Sequence, residues 1–452
     1  MEKKKRGSFT GEIGFVLAAA GSAVGLGNLW RFPYLAAQYG GGIFILVYII
    51  LALTFGFTLM TTEIAIGRKT KLSPTRAYKE VDSKFGFIGP IAFIIPVIIL
   101  PYYCVIGGWV TKYVTVFAAG QNIAAAEDSF FGNFIGREYA PLIFFIIFLG
   151  LTSLIVISGV EKGIEKVSSY LMPALIVLAV IICIYVITIP GSSAGIKYYL
   201  LPDFSKFSFK TVCAAMGQMF YSMSLAMEIM ITYGSYTKDE VSIVKSVNQI
   251  EIFDTGIAIL AGMMVVPAVY IFSGEAGTSQ SGAGLMFVTL PKVFTQMTAG
   301  RFIGGLFFVL VFFAALTSSV SVMEAIVSML IDRFHISRIK ACLGVIIFSV
   351  ALGIPCSLGN GVWSHITILG MDFLTFFDFI SNSLLLPIVA FFTCLMIGWS
   401  TGADYIIGEA TKNGEAFKRE KIYRVMIKYI APVLLLIILV FYTLAQFNII
   451  KF

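Results

Sequence analysis

Hydrophobic residues run along this chain in long blocks of bilayer-crossing length, divided by short polar and charged stretches. The blocks fall near 13–37, 42–67, 88–119, 141–159, 168–189, 211–235, 243–273, 302–332, 339–356, 372–399 and 425–447, eleven in all. About 20 apolar residues rising 1.5 Å each cover the roughly 30 Å of bilayer hydrocarbon. The pattern therefore predicts an all-α polytopic membrane protein with eleven transmembrane helices. The longest loops, near 120–140, 190–210 and 274–301, are too short to fold alone, so residues 1–452 read as a single domain.

Two blocks are interrupted at corresponding places. Residues 19–33 read AAGSAVGLGNLWRFP, where Gly21, Gly25 and Gly27 weaken a helix and Asn28 and Arg31 put polar groups beside the break. Segment 6, Gly217 to Tyr236, carries Ser222, Ser224 and Glu228 at mid-depth. Irregular backbone at membrane depth survives only when it is buried or lines a wet cavity, and its freed carbonyls and amides can hold an ion or a zwitterion. Broken helices first and sixth of ten predict two five-helix repeats, about 12–190 and 208–400, with an extra helix at about 425–447. An odd number of spans per repeat inverts the second half.

Composition agrees with the pattern: 58% of residues are hydrophobic and 13% charged, against about 25% charged in soluble domains. The net charge of +7 gathers in alternate loops, as in Lys3 to Arg6, Arg68 to Lys79, Arg333 to Lys340 and Lys412 to Arg424. That asymmetry is topological, so a nucleic-acid partner is not expected, and it places the N-terminus in the cytoplasm. Eleven spans then put the C-terminus outside, in a multi-pass protein of the cell's inner (plasma) membrane. The six cysteines sit in or beside apolar segments without metal-ligand spacing and read as reduced packing residues. No short apolar run with a cleavage site follows the basic start, so no cleaved signal peptide is expected.

Candidate chemistry lies inside the apolar blocks. Gly25 and Gly27 lack the preceding strand and third glycine of a nucleotide loop, whereas four-residue spacing of Gly21 and Gly25 also suits plain helix packing. Packing alone requires neither Asn28 nor Arg31. Thr317 and Ser318 offer hard oxygens to a cation such as Na⁺, although such hydroxyls usually bond their own helix. Asp254 lies in FDTGIAILAG, where a carboxylate costs roughly 2.5–3.5 kcal/mol and calls for a cation or proton. Glu63 and Glu228 invite the same argument, with Glu63 reading as a structural prop. Tyr102 and Tyr103 fit either an aromatic core pair or a phenol donor to a ligand carboxylate. Arg31 and Asp378 are candidates to pair across an outer vestibule. His335 and His365 fall in loops with no nucleophile–base motif, so an enzyme is not expected.

The motifs GSAVGLGNLWRFP, GGIFILVY, LPYYCVI, GQMFYSMSL, TLPKVF and FFAALTSSVS, in this order, resemble the neurotransmitter:sodium symporter family. The likeness is to its bacterial amino-acid branch with the leucine-transporter fold, in which the inverted repeat is a known feature. The resemblance implies two Na⁺ ions as co-substrates and a small-molecule amino acid carried by alternating access through the lipid bilayer. Site one would use Ala23, Asn28, Ser222 and Asp254 together with the substrate carboxylate. Site two would use Gly21, Val24 and Ala314 with the hydroxyls of Thr317 and Ser318. The substrate carboxylate would meet Leu26, Gly27 and Tyr103, and its ammonium Ala23, Tyr221, Ser222 and Ser224. Its side chain would face Ile99, Tyr103, Tyr221, Ser224, Met227, Ser318 and Val322. Arg31 with Asp378 would form an outer gate and Arg6 with Asp332 a cytoplasmic one, with Phe9 where the family usually has tryptophan.

Departures from the family pattern sharpen these expectations. Gly25 replaces the aspartate of monoamine carriers, so the substrate brings its own carboxylate. Tyr48, Gln218 and Ser222 resemble chloride-site positions, yet Asp254 replaces a neutral ligand, so chloride independence is expected. Glu228 stands where relatives usually have glycine. Facing the pocket it would favour a cationic side chain; turned toward Glu63 it leaves room for a large apolar or aromatic one. The alternative function is a non-transporting amino-acid sensor of the same fold, and the oligomeric state stays open.

Overall fold

The structure, a computed structural model, describes residues 7–278, 282–447 and 449. Among the described residues regular structure is helical, with only two isolated β-bridges, Gly41 to Pro202 and Ile368 to Met371. The long elements are α1 (Glu12–Ala23), α2 (Gly27–Gln38), α3 (Gly42–Thr70), α4 (Ile88–Ala118), α5 (Ala140–Ile157) and α6 (Val160–Thr188). The short pair α7 (Phe209–Ser222) and α8 (Ile229–Tyr236) follows. Then come α9 (Ile243–Gly274), α10 (Gly300–Phe334), α11 (Arg338–Leu358), α12 (Phe373–Thr401) and α13 (Glu420–Gln446). Nine of these are long and apolar enough to cross a membrane, ten when α1 and α2, bent by 48°, count as one span. The apolar stretch that the sequence reads as segment 6 is divided between α7 and α8, and neither is long enough by itself.

The bends have local causes. The α1 helix stops where Val24 adopts an extended conformation (φ −75°, ψ 97°) while its N–H still bonds to Ala20 O. The chain re-enters helix through a wide π turn at Gly27–Arg31. The α7 helix opens on a capping box, in which the Ser208 hydroxyl accepts from Thr211 N–H and the Thr211 hydroxyl accepts from Ser208 N–H. Between α7 and α8, Ser224, Ala226 and Glu228 all hold left-handed backbone, with φ of 53°, 56° and 67°. An L side chain pays roughly 1–2 kcal/mol for each such residue, so tertiary contacts must hold this stretch open.

Packing around the bends is close. The most apolar windows of α4 and α10 are 72% and 78% buried, against 39% and 33% for α5 and α6, so the first pair is the core and the second the perimeter. The α10 helix packs on α4, α1 on α9 and α10, and α8 on α3. At Gly67 a Cβ would stand 2.0 Å from Ile231 O, so glycine is what lets α3 meet α8. Short helices such as Pro74–Val81, Ser192–Leu200 and Asp404–Ala410 occupy loops that the hydrophobic pattern leaves blank.

Candidate functional site

The break between α1 and α2 faces the break between α7 and α8, and side chains from α9 and α10 fill the junction. Asp254, fully buried on α9, is satisfied on both oxygens. Its Oδ1 accepts from Asn28 Nδ2 at 2.7 Å and Ser222 Oγ at 2.8 Å, and its Oδ2 accepts from Tyr48 OH at 2.9 Å. Asn28 Oδ1 in turn accepts from Gly25 N–H at 3.0 Å, so one amide side chain links α9 to the irregular backbone. Gln218 Nε2 donates to Gly27 O at 2.9 Å. Asn28, Ser222 and Asp254 thus stand together, with Tyr48 and Gln218 around them.

A second oxygen cluster lies where α1 meets α10. Ser318 Oγ is 3.0 Å from Ser22 O and 3.5 Å from both Gly21 O and Val24 O. Thr317 Oγ1 donates toward Phe313 O and Ala314 O, each at 3.1 Å. The carbonyls at Gly21, Ser22 and Val24 are available because the helix ends here. Backbone carbonyls and hydroxyls are the donor set a hard monovalent cation takes. All five residues expected for the second ion site meet at this point.

Between the clusters lies a cavity of about 30 Å³, lined among others by Ala23, Leu26, Gly27, Ile99, Tyr103, Tyr221, Ser222, Ser224, Met227, Ser318 and Val322. Every expected substrate contact except Glu228 lines it. A Cβ on Gly25 would lie 2.7 Å from Ser318 Oγ and 3.1 Å from Tyr103 OH, so glycine is what lets the broken helix pass this close to both hydroxyls. Leu26 N–H points at Tyr103 OH, 3.4 Å away. As it stands the cavity has room for about one water molecule, so a larger occupant requires movement of its lid. That lid is Tyr221, whose ring packs where a Cβ of Gly27 would stand 2.9 Å from it.

Beyond Tyr221 a cavity of about 480 Å³ is lined by Trp30, Arg31, Tyr102, Trp109, Asp378 and Asn382, among others. Arg31 and Asp378 share this cavity without an ion pair between them. Arg31 Nη2 donates to Tyr442 OH at 3.2 Å and its guanidinium lies 5.8 Å from the Tyr221 ring, while Asp378 accepts from Asn382 Nδ2 at 2.6 Å. The two candidates for pairing thus share a wall of the vestibule instead of bonding each other.

Glu228 needs a correction. It does not line the small cavity: its Oε1 accepts from Tyr78 OH at 3.2 Å on the side facing away from the pocket. Of the pair expected to form a cytoplasmic gate, Arg6 lies outside the described residues, and Asp332 Oδ2 accepts from Ser73 N–H at 2.8 Å. Phe9 is buried edge-on against Tyr233, with ring centroids 5.4 Å apart, and its N–H bonds to Tyr236 O at 3.1 Å. Sequence reasoning did not single out Ser22, which lines the cavity with a hydroxyl that has no partner. Its position inside the glycine break was the available signal. Glu324, buried on α10 and bonded to Tyr236 OH and Arg338, was also missed.

The fold and site define a polytopic helical carrier whose pocket is built from broken helices. The chain belongs to the sodium:neurotransmitter symporter family, whose model matches residues 6–125 and 134–452. It is similar to the uncharacterized sodium-dependent transporter YhdH of Bacillus subtilis (strain 168), 33% identical over 97% of this chain and 98% of the relative. It is also similar to the sodium- and chloride-dependent taurine transporter of Homo sapiens, 26% identical over 88% of this chain and 72% of the relative. Among solved structures, the crystal structure of MhsT in complex with L-phenylalanine matches with a TM-score of 0.87 and 33% identity, covering 96% of this chain and 99% of MhsT. This is a family of sodium-coupled membrane transporters, not enzymes.

Proposed function

We propose that this chain is a symporter that couples inward movement of two Na⁺ to import of an α-amino acid with a free carboxylate. The close approach of the Gly25 backbone to two hydroxyls carries this reading. With no side chain at Gly25, Leu26 N–H and Tyr103 OH, donors suited to a carboxylate, line the small cavity, and Asn28 ties Gly25 N–H to Asp254. A carboxylate lodged there completes the shell of a Na⁺ at Ala23, Asn28, Ser222 and Asp254, so each ligand raises the other's affinity. The second Na⁺ takes Gly21, Val24, Ala314, Thr317 and Ser318, with Ser22 O adjoining.

A large apolar or aromatic side chain is the expected cargo. Ile99, Met227 and Val322 form an apolar wall, Glu228 turns away, and the similar MhsT was crystallised with L-phenylalanine. Asp254 supplies a fixed negative charge, so we expect chloride independence, unlike the named dependence of the taurine carriers. The reading counts α7 and α8 as one span, giving eleven with helices 1 and 6 unwound at mid-membrane, in two inverted five-helix repeats. The N-terminus is then cytoplasmic in the plasma membrane. Gating follows as the first two helices of each repeat, α1–α2 with α3 and α7–α8 with α9, rock against the remaining scaffold, with Arg31 and Asp378 lining the outer path and Asp332 the inner.

Uptake of a labelled amino acid into proteoliposomes tests the proposal. Accumulation should require a Na⁺ gradient, persist when chloride is replaced by gluconate, and be competed by phenylalanine, leucine and tryptophan but not by lysine or phenethylamine. Binding without accumulation would return the sensor reading. Strict chloride dependence would overturn the role of Asp254.

A further inference from the structure

On the far side of the pocket, α3 and the stretch before α8 bring two carboxyl groups together without a counter-ion. Glu63 is 3% exposed and Glu228 fully buried. Glu63 Oε1 accepts from Ala226 N–H at 2.8 Å, and Glu228 Oε1 accepts from Tyr78 OH at 3.2 Å. The second oxygen of each, Glu63 Oε2 and Glu228 Oε2, is buried with no hydrogen-bond partner. The two groups lie within each other's electrostatic field, and among the described residues no ion pair includes either. Their titratable neighbours are the phenol of Tyr78 and the thiol of Cys394, neither of which supplies positive charge. The nearest arginine along α3, Arg68, is committed to Glu409 at 2.6 Å.

Two ionised carboxylates in so dry a place repel strongly, and each would leave a charged oxygen without a donor. One proton removes the repulsion and turns one of the two unpartnered oxygens into a donor, because an un-ionised carboxyl donates as well as accepts. The backbone points the same way. Glu228 holds φ 67°, a conformation that glycine adopts freely, so the carboxyl is retained against a conformational cost. We infer that Glu63 and Glu228 share a single proton, forming a proton-binding site separate from the ion and substrate pocket. The site joins α3 to the irregular stretch between α7 and α8, and Gly67 keeps α3 in close contact with α8 just beyond it. Motion of that stretch away from α3 would let water reach the carboxyls and release the proton, which links pH to the position of the helix break.

Infrared spectroscopy of the full chain in lipid vesicles tests this directly. At neutral pH the wild-type protein should show the C=O stretch of a buried un-ionised carboxylic acid that shifts when H₂O is replaced by D₂O. A shared proton makes a reciprocal prediction: Glu228→Gln and Glu63→Gln should each abolish the same band, because the remaining carboxyl gains an amide donor and ionises. Absence of the band in wild type overturns the proposal. So does its persistence in either variant, which would assign the proton to one isolated residue. Should Glu63→Gln fail to fold, Glu228→Gln decides alone, since it supplies the amide donor and leaves Glu63 intact. Loss of the band there supports the shared proton, and its survival refutes it.

Discussion

At the scale of single residues, most of the site's chemistry depends on what Gly25 lacks. A methyl group at that position would sit 2.7 Å from Ser318 Oγ, so the serine would have to rotate away from Ser22 O, Gly21 O and Val24 O. Gly25→Ala should therefore weaken Na⁺ and amino-acid binding together, by tenfold or more each, equivalent to about 1.4 kcal/mol apiece. Overpacking itself costs about 1–3 kcal/mol. Isothermal titration of the amino acid at several Na⁺ concentrations measures both effects. A change in amino-acid affinity with unaltered Na⁺ dependence would disconnect Ser318 from the ion. Gly25, Asn28 and Asp254 were legible in the sequence because glycine, amide and carboxylate are all costly at membrane depth and need a reason to be there. The direction of Glu228 was not, since it hangs on three left-handed residues at alternate positions, where helical periodicity no longer says which way a side chain points. The Ser22 hydroxyl was passed over because a serine among alanines and glycines looks like a packing residue.

At the scale of elements, the ends of most long helices were legible to within a few residues, although α6 begins at Val160, eight residues before the apolar block at 168, because its first turns carry charges. The α7–α8 division falls in segment 6, whose interruption is legible from Ser222, Ser224 and Glu228, while hydropathy alone runs straight across it. What restrains these elements at the basic-loop end is a clasp that hydropathy does not register. Lys71 just after α3 and Lys412 beyond Asp404–Ala410 both reach Asp239 after α8, at 2.9 and 2.7 Å. The hydrogen bonds from Lys412 and Lys71 lower the Asp239 carboxyl to about 2. An unfolded aspartate titrates near 3.9. Because the folded value is depressed, the stabilisation is complete above about pH 4 and disappears as pH falls through about 2. The groups are half-exposed, so screening holds the whole contribution to about 0–1 kcal/mol. Asp239→Asn should melt slightly below wild type at pH 7, with the gap closing below pH 4 and shrinking in high salt. Arg68→Ala should cost far more, about 3–5 kcal/mol, because it strands the buried Glu409 carboxylate. Equal losses from the two substitutions would contradict this ranking.

At the scale of the whole molecule, the two ends of the permeation path are in different states. Outside Tyr221 there is a cavity of about 480 Å³, while the other end is closed by Phe9 packed against Tyr233 and Tyr236. A carrier needs this asymmetry to alternate. A sensor does not, so energetics must separate them. Each Na⁺ entering down 100 mV contributes about 2.3 kcal/mol and a tenfold gradient adds about 1.4 kcal/mol, so two ions supply about 7 kcal/mol. If both oxygen clusters carry Na⁺ in every cycle, stoichiometry is fixed at two and can be measured without voltage. With proteoliposomes clamped at zero potential, equal pH on both sides and a tenfold Na⁺ gradient, one coupled ion supports about tenfold accumulation and two support about a hundredfold. The expected plateau is the hundredfold one. Thr317→Ala together with Ser318→Ala should lower it toward tenfold if the Asp254 cluster still couples its own ion. A wild-type plateau near tenfold would mean that only one of the two clusters moves charge with the substrate, and the Thr317 and Ser318 cluster would then be structural.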